Sequence, residues 1–178
     1  NSGYDVLNGY FPFKDYWTIT GPLLDVIQAF FFKIFGVSWF SYVLHASVFN
    51  FIIAIATFFT LIKFGLNDNY SFLYALLVSI LAYPTVGTPF VDHHSVILSV
   101  ISLFCFVLAL RTKKNFYWLI LGMILGLAFL AKQVPAAYFS IIISILSLIY
   151  FFFNFDIKKI FLFFSGGIMF FTIFILIL

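Results

Sequence analysis

The chain has 178 residues, 65% of them hydrophobic, 24% aromatic and only 8% charged, with a formal net charge of +3. A soluble domain clothes itself with roughly 25% charged residues, so most of this surface must face lipid, and a soluble globular enzyme is excluded. The sequence pI near 9.0 comes from cations set between apolar runs, as membrane topology requires, and gives no ground for nucleic-acid binding.

Residues 1–21 are rich in Gly, Tyr, Asp and Thr and show no helical period. They predict a non-cytoplasmic loop, with Pro12 and Gly21 as breakers. Pro22 then opens a helix, where its missing N–H is harmless, and Gly36 stops it. Of the expected interfacial segment 22–36, the helical run Pro22–Phe35 is about four turns, roughly 21 Å, too short for a hydrocarbon core of about 30 Å. Asp25, Gln28 and Lys33 share one side of the wheel. The pattern predicts an amphipathic helix lying in the interface.

Residues 38–178 predict transmembrane helices, about six in all: Trp39–Ile62, Tyr70–Val86, Ser95–Leu110, Phe116–Ala131, Pro135–Phe153, and a last one from Ile160. The block Phe116–Phe153 is too long for one span, and Lys132-Gln133-Val134-Pro135 divides it. The fold class is therefore all-α, a single polytopic membrane domain over 1–178. Beginning at Asn1 and ending inside an apolar run, it is expected to be a fragment. Alternate loops place Lys63, Arg111, Lys113, Lys114, Lys158 and Lys159 at one end of the bundle, against Lys14, Lys33 and Lys132 at the other. The richer end is expected in the cytoplasm. The opening loop, the loop Tyr83–His94 and the Lys132 break then share the outer side.

All six acids are Asp, and burying a charge in a bilayer costs about 2.5–3.5 kcal/mol or more, so the place of each is informative. Asp15 lies in FPFKDYW, an acid among rings that strip water and raise a carboxyl toward general-base range. The plain alternative is a turn-capping Asp or a pair with Lys14. Tyr16 and Trp17 beside it suit a sugar ring, or an interfacial aromatic belt. Asp92-His93-His94 follows a Pro/Gly loop. Consecutive residues diverge on any regular element, so the triplet makes a poor metal site; a helix capped by Asp92 would itself favour a phosphate. Lys132-Gln133 ends a span at the outer face, suited to a lipid-linked phosphate or to plain snorkelling. His45 and Asn50 read as interhelical hydrogen bonds, Gly122 and Gly126 as a packing face, and Cys105 as a small core hydrophobe. No P-loop, GxGxxG, HExxH or GxSxG is present.

Three stretches carry a resemblance. They are G-Y-F-P-F-K-D-Y-W-x-x-x-G-P-L (Gly9–Leu23), F-x-x-F-G-V-S (Phe32–Ser38) and G-x-x-L-G-L-A-F-L-A-K-Q (Gly122–Gln133). Together the chain resembles membrane glycosyltransferases of the GT-C fold, among them the dolichyl-phosphate-mannose–protein mannosyltransferases and the bacterial transferases related to the lipid A aminoarabinose enzyme. The resemblance implies an inverting transfer of a sugar from a polyprenyl-phosphate donor to a lipid, glycan or protein acceptor. The active site would face outward from a membrane, in bacteria the inner one. It implies a base in the first outer loop. The family's principal acid lies before the position matching Asn1, and Asp15 matches a second acidic position. Asp92, His93 and His94 match an outer loop near the site, and Lys132 the phosphate-holding lysine. Cofactor use is left open, a divalent metal included. Two other classes share the hydropathy: a transporter, which needs polar groups at mid-membrane, and a non-catalytic subunit or polysaccharide polymerase or ligase.

Overall fold

The computed structural model describes residues 2–18 and 20–177. Residues 1 and 19 of the expected loop and 178 of the last span lie outside them. Eight helices and no strand occur among the described residues: α1 Ser2–Leu7, α2 Leu23–Phe35, α3 Trp39–Lys63, α4 Asp68–Ala82, α5 Val91–Thr112, α6 Phe116–Ala131, α7 Gln133–Phe153 and α8 Ile157–Ile177. The chain is all-α and membrane-embedded. By length and composition α3, α5 and α7 can each cross a bilayer, while α4 and α6 are shorter apolar helices. The stretch 2–7, expected as loop, is helical. A helix this short gains little from its own hydrogen bonds; it is held by packing on α2.

α6 is the hub. It packs most extensively on α5 and α8, and also touches α7 and α2, while α3 bridges α4, α5 and α2. Lipid offers helices no hydrophobic reason to associate, so close contacts fall to small residues. A Cβ on Gly122 would stand 2.1 Å from the Phe163 carbonyl oxygen of α8, and one on Gly166 2.2 Å from that of Leu119 on α6. Hence α6 and α8 run backbone to backbone. Beside this seam Trp118, fully buried, is ringed by Phe106, Tyr150, Phe151 and Phe163 with centroids 4.7–6.5 Å away. The outward faces stay apolar, with Phe72, Leu76, Ile80 and Leu81 on α4 and Ile141, Ile145, Leu148 and Phe152 on α7 all exposed.

Three contacts fix which ends lie together. His45, early in α3, meets His94, early in α5. Lys132, just after α6, meets Asp92. Arg111, late in α5, stacks over Phe64 at the end of α3, 4.7 Å from the ring centroid. The starts of α3 and α5, the end of α6 and the opening segment therefore share one end of the bundle. Six of the nine cations occupy the other.

Candidate active site

The opening segment folds onto α2 through a buried acid. Asp25 accepts a hydrogen bond from Ser2 Oγ at 2.5 Å and a long one from the Tyr16 hydroxyl at 3.4 Å, and that hydroxyl also lies 3.3 Å from the Ser2 carbonyl. Asp25 and Gln28 of the polar side of α2 thus point into the protein, while Lys33 near the end of the helix is exposed, as are Phe30 and Ile34. Burial pushes the Asp25 carboxyl up from its ordinary value, the hydrogen bonds from Ser2 and Tyr16 oppose that, and nearby Asp5 adds to it. Burial and Asp25 together push the Tyr16 phenol up.

A raised carboxyl pKa stabilises the fold only while the group is protonated, so the contribution is present below the unfolded value near 3.8 and is lost as pH rises through the folded one. Asp25→Asn, neutral throughout, should lose less stability than wild type across that window. Thermal unfolding in detergent from pH 4 upward measures this; parallel curves for the two proteins would contradict it.

Asp15 sits in a tight turn. Its Oδ2 accepts the Phe11 N–H at 2.8 Å, Phe13 takes a positive φ of 68°, and the Phe13 N–H donates to the Tyr16 carbonyl at 2.8 Å. The carboxylate is exposed. Trp17, 81% exposed, rests edge-on against Phe13 with centroids 5.9 Å apart. Asp15, Tyr16 and Trp17 are thus presented by one turn, but with different duties: Tyr16 ties the turn to α2, and Trp17 projects free.

Gly21 joins this turn to the bundle. A Cβ there would fall 1.7 Å from the Leu130 carbonyl oxygen near the end of α6. Leu23 packs beside it on Leu98, Ala128, Leu130, Ala131 and Ala136. After Ala131 the chain leaves the helix. Lys132 is extended (φ −159°, ψ 128°), and Val134 is non-helical inside the first turn of α7. Here the expected break is found, and it turns the Lys132 ammonium onto the Asp92 carboxylate, both partly exposed. Gln133 lies half-buried beside it.

Asp92 does not cap α5, as one reading of the sequence had it. Phe90 occupies the N-cap position without a side-chain bond, and Asp92 is the second residue of the helix. There a negative charge is favoured by the exposed N–H groups of the first turn, and Lys132 balances it. His93 and His94 diverge. Both ring nitrogens of His93 are buried, with the Ala82 backbone as the nearest polar partner, beside a cleft of about 290 Å³ lined by Pro84, Thr85, Val86, Thr88 and Phe90. His94 is fully buried and bonds to His45, which in turn meets Gln28. Asn50 donates to the Ser79 carbonyl at 2.7 Å, an α3–α4 tie. Among the described residues no group of three or more His, Cys or Asp is arranged to hold a metal.

The structure therefore brings Asp92 and Lys132 together and sets the Asp15 turn at the same end, with no hydrogen bond or ion pair between the two. The inward His45–Gln28 connection was hidden from the sequence. Its one signal was the Asp25/Gln28 side of α2, which a wheel detects without saying what it faces.

No curated protein and no solved structure matches the chain significantly. The family model for dolichyl-phosphate-mannose-protein mannosyltransferases matches residues 20–178, from the end of the opening turn through all the long helices. With that match over nearly the whole bundle, the chain belongs to the dolichyl-phosphate-mannose-protein mannosyltransferase family, membrane glycosyltransferases of the GT-C type.

Proposed function

We propose that this protein transfers a sugar from a polyprenyl-phosphate carrier to an acceptor on the non-cytoplasmic side of the membrane. The observation that carries this reading is the Lys132–Asp92 pair. It places a cation at the seam of α5, α6 and α7, partly exposed, at the end where the opening turn docks. A lysine ammonium matches a phosphodiester in charge and recruits it electrostatically. Asp92 acts as its counter-ion until phosphate arrives, so the charge is never left unpaired at that depth.

In the transfer, the acceptor hydroxyl oxygen bonds to the anomeric carbon as the bond from that carbon to the phosphate oxygen breaks. Displacement from the opposite face inverts the centre. The electron pair leaves on the polyprenyl phosphate, where Lys132 stabilises the extra negative charge. The acceptor proton passes to Asp15, whose carboxylate is exposed on the turn and oriented by the Phe11 amide. Trp17 offers its open face to a sugar ring, and Gln133 supplies a polar group beside the phosphate, while the buried ring of His93 lines the neighbouring cleft. The cation distribution along the chain supports the outward orientation.

The test uses the full-length protein in nanodiscs with a panel of polyprenyl-phosphate sugars, following sugar release and transfer. Turnover with at least one donor, reduced at least tenfold in Asp15→Asn, supports the reading. No turnover with any donor overturns it in favour of a non-catalytic membrane protein. Turnover untouched by Asp15→Asn moves the base elsewhere.

A further inference from the structure

At the centre of the site end lie three buried polar side chains on three helices, Gln28 of α2, His45 of α3 and His94 of α5, with no charge among them and no exit to water. Gln28 is 2% exposed and both histidines 0%. His45 Nδ1 is 2.8 Å from Gln28 Oε1, the two Nε2 atoms are 3.0 Å apart, and His94 Nδ1 is 2.9 Å from the Phe90 carbonyl oxygen. We propose that Gln28, His45 and His94 form a hydrogen-bond chain of single direction that positions the first turn of α5, and with it Asp92. The functional part rests on reading that turn as part of the transferase site.

The direction follows from one fixed end. A carbonyl oxygen only accepts, so His94 Nδ1 carries the proton. A neutral His94 then has a lone pair on Nε2, and His45 must donate to it from its own Nε2. That leaves a lone pair on His45 Nδ1, which needs a donor from the Gln28 amide. Amide oxygen and nitrogen exchange places by a half-turn of the group. With the oxygen toward His45, the Gln28 nitrogen is buried without a partner. With the nitrogen toward His45 every link of the chain closes, Gln28 donating to His45, His45 to His94 and His94 to Phe90, and the atom left over is the amide oxygen, not a donor.

A metal between the two Nε2 atoms is the rival arrangement, since ligating histidines also donate their second nitrogen to an oxygen. The walls argue against it. Phe31 stacks on His45 at 5.0 Å between centroids, and Phe49 lies 5.4 Å from His45 and 4.1 Å from His94. Rings rather than ligands surround the pair, where a zinc ion would want four donors.

What the chain holds is the start of α5. The Phe90 carbonyl receives both the backbone N–H of His94 at 3.0 Å and its ring Nδ1, which closes the first turn where the N-cap offers no side chain. Residues two apart on a helix point about 200° from each other. Locking His94 inward therefore turns Asp92 outward, to the side where Lys132 waits. An apolar trio would join the three helices as well, but without selecting one rotation of α5.

The test uses the full chain in nanodiscs with ¹⁵N-labelled histidine rings; only three histidines are present, so single substitutions assign them. Expected are a protonated Nδ1 with bare Nε2 on His94 and the reverse on His45. Two bare Nε2 atoms facing each other would overturn the chain in favour of a bridging ion. His94→Leu alone strands a buried His45 donor and can misfold, so the double variant His45→Phe/His94→Leu accompanies it, removing both polar groups together. It should stay monodisperse while the amides of residues 94–96 exchange at least tenfold faster than wild type, with mid-α5 amides unchanged, and kcat for transfer should fall at least tenfold. Unchanged exchange at 94–96, or unchanged kcat, overturns the positioning role. If wild type turns over no donor, the transferase reading fails by itself, and the ring protonation and amide exchange still judge the lock.

Discussion

Lys132→Ala is expected to lower kcat/KM for sugar transfer about a hundredfold while leaving the protein folded. The two halves of that expectation have separate grounds. As a stabilising contact the Lys132–Asp92 pair is weak, because both side chains are partly exposed and such pairs contribute about 0–1 kcal/mol. As a phosphate partner the same ammonium meets a leaving group that gains charge in the transition state, and a hundredfold loss corresponds to about 2.7 kcal/mol at 1.36 kcal/mol per tenfold. Steady-state transfer assays beside detergent melting curves would separate the two. Asp92→Asn should cost less, since it removes the counter-ion and leaves the cation. The double variant Asp92→Asn/Lys132→Ala should be no worse than Lys132→Ala alone, because the two residues act through one charge. Equal turnover in wild type and Lys132→Ala would remove Lys132 from the reaction.

Gly21→Ala is expected to be the most damaging single methyl group at the site end. The added carbon would meet the Leu130 carbonyl oxygen at 1.7 Å and its carbon at 2.3 Å. Both are backbone atoms, so no side-chain rotation relieves the clash, and α2 must lift from α6. Overpacking of this kind costs about 1–3 kcal/mol, and an unyielding neighbour puts this case at the upper end. Because Leu130 lies two residues before Lys132, transfer should fall along with thermal stability. Gly167→Ala is the internal comparison: a Cβ there would meet its nearest neighbour, the Gly122 oxygen, at an ordinary 3.8 Å. Unfolding midpoints in detergent decide it, and equal midpoints for the two variants would refute the close docking.

The long helices were legible because each apolar run ends at a breaker or a cation: α3 at Lys63, α6 at Ala131 before Lys132, α7 at Phe153 before a polar turn. Gly122 was legible for the same reason, since a small residue on an apolar helix has little use except close packing. α1 was not, because its order comes from Ser2 reaching Asp25 and Gly3 lying against Gln28, contacts that leave no periodic mark. Of the site, each member was visible as an isolated polar residue in an apolar chain. Their partnerships were not. Asp92 and Lys132 are 40 residues apart and His45 and His94 are 49, and no local pattern encodes a pairing across that span. What the polar side of α2 faces was not legible either. A helical wheel separates polar from apolar sides without saying that Asp25 and Gln28 turn inward while Lys33 stays exposed.

The brevity of α4 has a consequence for the membrane itself. Both α3 and α5 start at the site end, so α4 must carry the chain back across. Its 15 residues reach about 22 Å, against a hydrocarbon thickness of about 30 Å. Lipid tails lying against the exposed Phe72, Leu76 and Ile80 would therefore meet a wall shorter than themselves, a mismatch that thinning of the bilayer beside α4 would relieve. Under the transferase proposed above, a carrier headgroup at the surface of such a thinned patch would ride several ångströms deeper than in flat membrane, so the protein would shorten the carrier's descent by reshaping the solvent.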